Sequence, residues 1–590
     1  MSGGLCAWAL ALALTLAAAP TVAQPQELKV LHIPRTAQFE SLDPPRQFDQ
    51  ASHDIVDSLY DTLLSYSYLE RPYKLEPRLL ARMPELSADK LTLTFTLRKG
   101  VLFHDNACFA GGKGRELTAD DVLYSLRRFA DANINNKSWF LMEGAVVGLD
   151  AFRDATRKAG PGADTAALPI AGLKKIDSHS FSLRLTHPNP LLLYAFASAA
   201  SGIVPIEAVQ RYKDQFSVNP VGTGPFTLKD VDRKGTLRLI RNPRYFGVYP
   251  SRGAPGDAEK GLLKDAGKRL PLVDVVEMPL IEEAQPAALK FLKGELDWRG
   301  LDRANFTKLV VRKGEGQFAV ADEYASRFDI YWVPGLDSSF YGINQKDTLL
   351  GGNKLLRQAL AHLVDVRGSI EVLSNGRGRK LNSMVPYDLP GSERDTGAIG
   401  REYDVAAAKK LLAQAGYPDG KGLPALTMSY GGTTADTRTS FDFMKAKFAA
   451  AGVQLKGDFT DFPTFLRNLE RGNTQIYASG WAADYPDAEN FYQLLYGKNL
   501  APGPNRASFV NAAYDKAYEA SRTMANGPER YALFKTMNDI VRDEVPVILD
   551  TSPLRFGITQ KWLLNFKRNL MVAELPFLDI DLARQKQGLP

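Results

Sequence analysis

With 590 residues, 45% of them hydrophobic and 24% charged, the chain has the composition of an ordinary globular protein and enough length for roughly two to four domains. Its 73 basic and 67 acidic side chains are interspersed, giving a net charge of +6 without a Lys/Arg block or basic heptad, which argues against nucleic-acid binding. Cys6 and Cys108 are the only cysteines, so large apolar cores and not disulfides must hold the fold.

In chain order, the first feature is an uncharged apolar run from Cys6 to Ala23 that ends in Thr21-Val22-Ala23. It reads as a secretory signal peptide cleaved near Ala23, although no Lys or Arg precedes it. It falls short of the roughly 20 residues a spanning helix needs, and Pro20 interrupts it. No later stretch is long enough to cross a bilayer, so the expectation is an exported, soluble chain in which Cys108 has no intrachain partner.

Leu91, Leu93, Phe95 and Leu97 alternate with threonines, which predicts a half-buried strand over 91–97. Thr118-Ala119-Asp120-Asp121 predicts a capping box and a helix to about Ala130. Lys174–Ile176 and Phe181–Leu185, separated by Asp177-Ser178-His179, predict a hairpin. These pieces make an α+β unit of the segment from about Glu70 to Leu185.

Farther on, helix and strand patterns alternate. Helices are predicted at Val405–Ala415, Arg438–Ala450 and Phe462–Arg471, and strands at Leu426–Tyr430, Val453–Gly457 and Gln475–Ser479. This is an α/β lobe, whose ligands belong in the crevice beyond the carboxyl ends of the strands. Two loops occupy such ends, one containing Gly431-Gly432 and the other running from Gly480 to Asp487. The second combines Trp481, Asp484, Tyr485 and Asp487, which suits a ligand with an amine and an apolar body. The competing assignments are a helix cap for Asp487, ahead of a helix at Ala488–Tyr496, and a core position for Trp481. Gly432 could offer a backbone N–H to an anion. Asn344, at the end of a strand, is placed facing the cleft.

Enzyme signatures are missing: there is no nucleophile elbow, no His-Glu-x-x-His and no P-loop, since Gly112-Lys113 runs into Gly114. None of the six histidines pair at helical spacing, so neither a metal site nor a cofactor is expected.

The order of motifs resembles the extracytoplasmic solute-binding proteins of family 5, which serve dipeptide, oligopeptide and nickel ABC transporters. The resemblance rests on Ser41-Leu42-Asp43-Pro44, the helix running into Ser58-Leu59-Tyr60-Asp61-Thr62-Leu63-Leu64, the stretch Phe95 to Asp105, and Leu117-Thr118-Ala119-Asp120-Asp121-Val122. It continues through Pro220-Val221-Gly222-Thr223-Gly224-Pro225-Phe226, Arg241-Asn242-Pro243, Gly294-Glu295-Leu296-Asp297, Gly342-Ile343-Asn344 and Leu356 to Ala361. The glycines at 222 and 224 are expected to serve a tight turn.

The resemblance implies an α/β, two-lobed periplasmic-binding-protein fold with a hinge and an additional α+β domain inserted in the first lobe. Residues 1–23 would be the signal peptide, 24–69, 186–282 and 554–590 the discontinuous lobe I, 70–185 the inserted domain, and 283–553 lobe II. It further implies a monomeric periplasmic component of an ABC importer that closes over a peptide or peptide-like ligand and docks on an inner-membrane permease. Asp484 matches the family's aspartate for the ligand's amino terminus, with Trp481 and Tyr485 as cleft walls. Two departures stand out: Ala478 occupies the place of an arginine found in some oligopeptide binders, and Asn106–Arg115 is a longer loop than usual, with Cys108 in it. The alternatives are an oligosaccharide, opine or metal-chelate ligand on the same scaffold, or a secreted peptidase.

Overall fold

The structure is a computed structural model that describes residues 27–47, 50–165, 167–230, 235–314, 317–501 and 503–587. The signal-peptide assignment lies outside these residues. Among them, no helix is long and apolar enough to cross a membrane.

The first sheet places Val30–His32 parallel to Val275–Pro279, followed by Thr236–Arg241 and Phe226–Asp230 in antiparallel order. A separate antiparallel sheet has the order Glu85–Leu86, Thr92–Thr96, Ser180–Arg184, Leu173–Lys175. The threonine-alternating run forms its expected strand, and Phe95 stands directly opposite Phe181 with ring centroids 4.7 Å apart. Thr118 and Asp121 close the capping box of helix Ala119–Ala130, and the Ala119 N–H donates to Ser178 O in the predicted hairpin turn at 2.8 Å. One apolar core runs under both sheets, joining Leu31, Leu237 and Val276 to Phe95, Phe129 and Phe181.

The helix ahead of Tyr60 spans Gln50–Leu59, and Leu64 already belongs to strand Leu64–Tyr66. It stops because the Leu59 carbonyl accepts from Gly224 N–H, while buried Asp61 takes hydrogen bonds from Arg78, Thr223 and Tyr245. The glycines of the 220–226 segment therefore serve close approach and not a positive φ. A Cβ on Gly222 would sit 2.2 Å from Leu59 O, and one on Gly224 2.4 Å from Leu59 C.

The predicted α/β lobe is built on a five-stranded sheet of order Leu455–Phe459, Leu426–Tyr430, Ile476–Ala482, Asp337–Ile343, Val547–Leu549. Its first three strands are parallel, and the fourth is antiparallel to both of its neighbours. The period-2 pattern sorts side chains to two cores: Phe340, Tyr477 and Leu549 face one, Tyr341, Ile476 and Ile548 the other. Helix Phe462–Arg471 ends at Gly472 in the left-handed region (φ +70°), and helix Ala435–Ala449 starts three residues ahead of expectation because Thr434 caps it. The strand expected at Val453–Gly457 begins at Leu455, since the Val453 N–H is still engaged by the Phe448 carbonyl. The helix expected at Ala488–Tyr496 is one α-turn, Glu489–Tyr492, continued as a 3-10 turn.

Ten-residue strand Thr551–Gln560 follows this sheet at once and pairs with Trp298–Gly300, Phe328–Pro334 and Gly378–Lys380. The chain thus passes directly from one sheet to the next.

The Asn106–Arg115 loop is partly exposed and tied down. Phe109 is buried, and Asp105 binds Lys113, Gly114 N–H and Arg244. Cys108 is half-buried, and its thiol is pushed up to about 11 by burial and by Glu207, so little thiolate exists at neutral pH.

Candidate functional site

A cavity of about 420 Å³ opens between the carboxyl end of the five-stranded sheet and a face built from the early part of the chain together with residues 568–572. Leu336, Asp337 and Ala482–Asp484 form one wall; Tyr66, Tyr194 and Asn569–Val572 belong to the other. The register that pairs Asp337 with Ala482, continued by Ala483 N–H to Leu336 O, carries the 480–487 loop to its edge.

Asp484 projects from that edge. Its backbone N–H donates to Asn490 Oδ1 at 3.0 Å, Asn490 Nδ2 donates to Asp484 Oδ2 at 2.9 Å, and Trp481 Nε1 donates to the same Asn490 Oδ1 at 2.9 Å. Asn490 is fully buried, so this two-way clamp fixes both loop backbone and carboxylate. The Asp484 carboxylate is open to the cavity, yet the surrounding walls remove enough water to push its pKa above the usual carboxylate range. Hydrogen bonds from Asn490 and the neighbouring indole oppose this, and Glu489 adds like-charge repulsion.

The pairing of charges separates Asp484 from its neighbours. Asp337 is held by Arg555, with Nη2 to Oδ2 at 2.5 Å, and Arg568 is taken by Glu574 at 2.7 Å. Among the described residues no Lys, Arg or His forms an ion pair with Asp484. The cavity therefore presents one oriented carboxylate without a counter-cation.

Asp484 is the single sequence-predicted site residue on the wall of this cavity. Trp481 is half-buried, packs on the core and orients Asn490. Tyr485 lines an adjoining space of about 260 Å³ that shares Phe140 and Leu141 with the first; its hydroxyl donates to Glu489, and its ring stacks on Tyr194 with centroids 5.3 Å apart. Tyr194 in turn stacks on Tyr66 at 6.4 Å, so three tyrosines bridge the two sides of the cavity.

The other three candidates lie off the cavity wall, each engaged by the protein itself. Asp487, 1% exposed, makes a bidentate pair with Arg530 at 2.7 and 2.9 Å and accepts from Glu489 N–H. Asn344 is buried; its amide donates to Gly472 O and Thr474 O, and its carbonyl accepts from Lys346 N–H. Gly432 sits against Thr437 of the following helix, where a Cβ would lie 2.9 Å from Oγ1. Asn490, Tyr194 and Arg530 were not singled out from the sequence. None of the three left a distinct local signal: Asn490 sits beside Glu489 in the four-residue helix Glu489–Tyr492, and Tyr194 and Arg530 lie far from the loop in the chain.

Among the described residues no group of three or more His, Cys, Asp or Glu is placed to hold a metal ion.

Comparison with known proteins agrees with this layout. The profile of bacterial extracellular solute-binding proteins, family 5 (middle region), matches residues 74–502. The dipeptide-binding protein of Escherichia coli K12 is 24% identical over 482 residues, covering 80% of this chain and 79% of that protein. Among solved structures, the periplasmic binding protein DppA of Helicobacter pylori, in complex with the peptide STSA, aligns with a TM-score of 0.69 at 23% identity over 94% of this chain and 98% of its own. HbpA2 of Haemophilus parasuis aligns with a TM-score of 0.71 at 20% identity, over 94% and 99%.

Proposed function

This chain belongs to the bacterial extracellular solute-binding proteins of family 5, and from that membership we propose that it is the periplasmic ligand-capturing component of an ABC importer, taking a short peptide or peptide-like amine between two lobes. The observation that carries the ligand class is the unpaired Asp484 carboxylate at the cavity edge. A ligand ammonium group supplies the missing cation and donates charge-assisted hydrogen bonds to the carboxylate, whose direction Asn490 already fixes. Main-chain groups at the exposed end of the sheet bind an extended ligand backbone without reading its side chains.

In this reading Asp484 is the anchor, Tyr485 and Trp481 support the wall, and Asp487, Asn344 and Gly432 hold the loops that carry it. Lobe I comprises 24–69, 186–282 and 554–590, with 70–185 inserted, and lobe II comprises 283–553; the passage from Leu549 into strand Thr551–Gln560 provides one hinge crossing. Export uses residues 1–23 as a signal peptide cleaved near Ala23. The protein acts as a monomer, performs no covalent step, and in its closed form docks on an inner-membrane permease.

The test is titration calorimetry of a dipeptide and its N-acetylated form against the wild type and Asp484→Asn. A hydrogen bond to a charged group contributes about 1.5–3 kcal/mol, so Asp484→Asn should weaken the free dipeptide by about ten- to a hundredfold. Acetylation should cost the wild type as much and the variant little. Equal affinity of wild type and Asp484→Asn for the free dipeptide would move the ligand to the non-peptide class.

A further inference from the structure

A second cavity, about 430 Å³ and thus as large as the first, is lined by residues 57–98, 245–270 and 572–577. It meets the first cavity at Tyr66 and Val572, which line both; each is buried, so the two side chains form a partition. None of the residues of the 480–487 loop reaches it.

Its lining is aromatic. Tyr68 stacks on Phe577 with centroids 4.2 Å apart and planes 6° from parallel, and Tyr249 packs edge-on against both. Tyr249 is 1% exposed, and its buried hydroxyl has no hydrogen-bond partner. Phe246 adds a half-buried ring with the Arg98 guanidinium 5.7 Å from its centroid.

The charges divide into satisfied and unsatisfied groups. Arg78 is neutralised by Asp57 and Asp61. Glu76, on strand Leu75–Pro77, and Arg252, on the opposite segment, line the same cavity, and among the described residues neither side chain makes a hydrogen bond or an ion pair. They sense one another, since Arg252 favours ionised Glu76 against the partial desolvation by the cavity wall and the charge of Glu70, yet they stand beyond ion-pair distance. An acid and a base that face one aromatic cavity without closing on each other leave a gap matched by a ligand with both charges.

We propose that this cavity is a second small-molecule site, for a zwitterion whose ammonium meets Glu76, whose carboxylate meets Arg252 and whose flat apolar body lies on the Tyr68–Phe246 side. A free aromatic amino acid is the smallest molecule with all three features. The site is independent of Asp484 and of the ligand assigned to the first cavity.

The experiment is titration calorimetry of the full chain with L-tryptophan, tryptamine and indole-3-propionate, in wild type, Asp484→Asn, Glu76→Gln and Arg252→Gln, with circular dichroism to check folding. Both Glu76 and Arg252 are exposed, so these variants should fold. Tryptophan binding should survive Asp484→Asn and weaken by about tenfold or more in each of the other two variants. Glu76→Gln should weaken tryptamine and spare indole-3-propionate, and Arg252→Gln should do the reverse. Tryptophan binding that is lost in Asp484→Asn and kept in Glu76→Gln and Arg252→Gln would place the probe in the first cavity and overturn the proposal. The absence of saturable binding at millimolar tryptophan would overturn it as well.

Discussion

Replacing Asp487 by Asn separates a scaffold role from ligand binding. Arg530 is 1% exposed and spends its donors on Asp487 (2.7 and 2.9 Å), Asn526 (2.7 Å) and Ser521 O (2.9 Å). Asparagine keeps one acceptor, turns an NH2 toward the guanidinium and leaves a buried cation uncompensated. Removing one partner of such a pair costs about 3–5 kcal/mol. Because a chain of several lobes need not unfold in one step, the readout is the first transition in urea, followed by near-UV circular dichroism. That midpoint should fall, whereas dipeptide affinity measured on the folded protein should change by less than about threefold. The pair Asp487→Leu with Arg530→Met should recover much of the loss, because well-packed apolar replacements of a buried ion pair are often neutral. An Asp487→Asn variant of unchanged midpoint that no longer binds dipeptide would refute this reasoning and make Asp487 a ligand residue.

Buried His104 and half-buried Asp550 give opposite pH dependences that single variants should expose. His104 donates from Nε2 to Gly224 O at 3.0 Å and accepts Gly222 N–H at Nδ1, and burial lowers its pKa from 6.5 to about 4; its contribution, about 3 kcal/mol, is complete above pH 6.5 and lost as pH falls toward 4. Asp550 is raised from 3.8 to about 6 by burial, so the native state binds the extra proton and stability declines as pH rises from about 4 to 6. Asp550→Asn should therefore stabilise the protein at pH 7 by up to about 3 kcal/mol, with no gain near pH 4, while His104→Gln should flatten the acid limb; urea midpoints against pH measure both. Gly222→Ala places a Cβ against the Leu59 carbonyl, a backbone atom that cannot swing aside, and should lower the urea midpoint by the equivalent of about 2 kcal/mol or more.

The sequence made local structure legible wherever neighbours in the chain decide it. Leu426–Tyr430 and Phe462–Arg471 lie where periodicity puts them, and Thr118 closes its capping box with Asp121 three residues on. Boundaries moved where a distant partner took over, as at Leu59, whose carbonyl is claimed by Gly224. Site residues follow the same division. The position of Asp484 on the cavity wall was legible because it follows strand Ile476–Ala482 of an α/β lobe, but the fates of Asp487 and Asn344 were set by Arg530, 43 residues away from Asp487, and by the carbonyls of Gly472 and Thr474. Residue type alone does not distinguish a carboxylate that will find a buried arginine from one that will not.

That distinction also underlies the charge proposed for the ligand. A partly desolvated carboxylate costs stability unless a cation compensates it, and Asp484, open to the cavity yet raised in pKa by the walls around it, forms no ion pair among the described residues. Asp487, three residues on, and Asp337, opposite Ala482 on the neighbouring strand, show the usual solution, each closed by an arginine. At Asp484 the surrounding groups do something different: Asn490 fixes the carboxylate's direction while leaving its charge intact, and the backbone N–H of Asp484 is locked to the same amide. Orientation without neutralisation suits a group whose partner arrives from outside. On the proposed reading, Tyr66 and Tyr194 wall the cavity beside Asp484 and Tyr485 extends their stack, so that a bound ligand would displace water there and strengthen the ion pair.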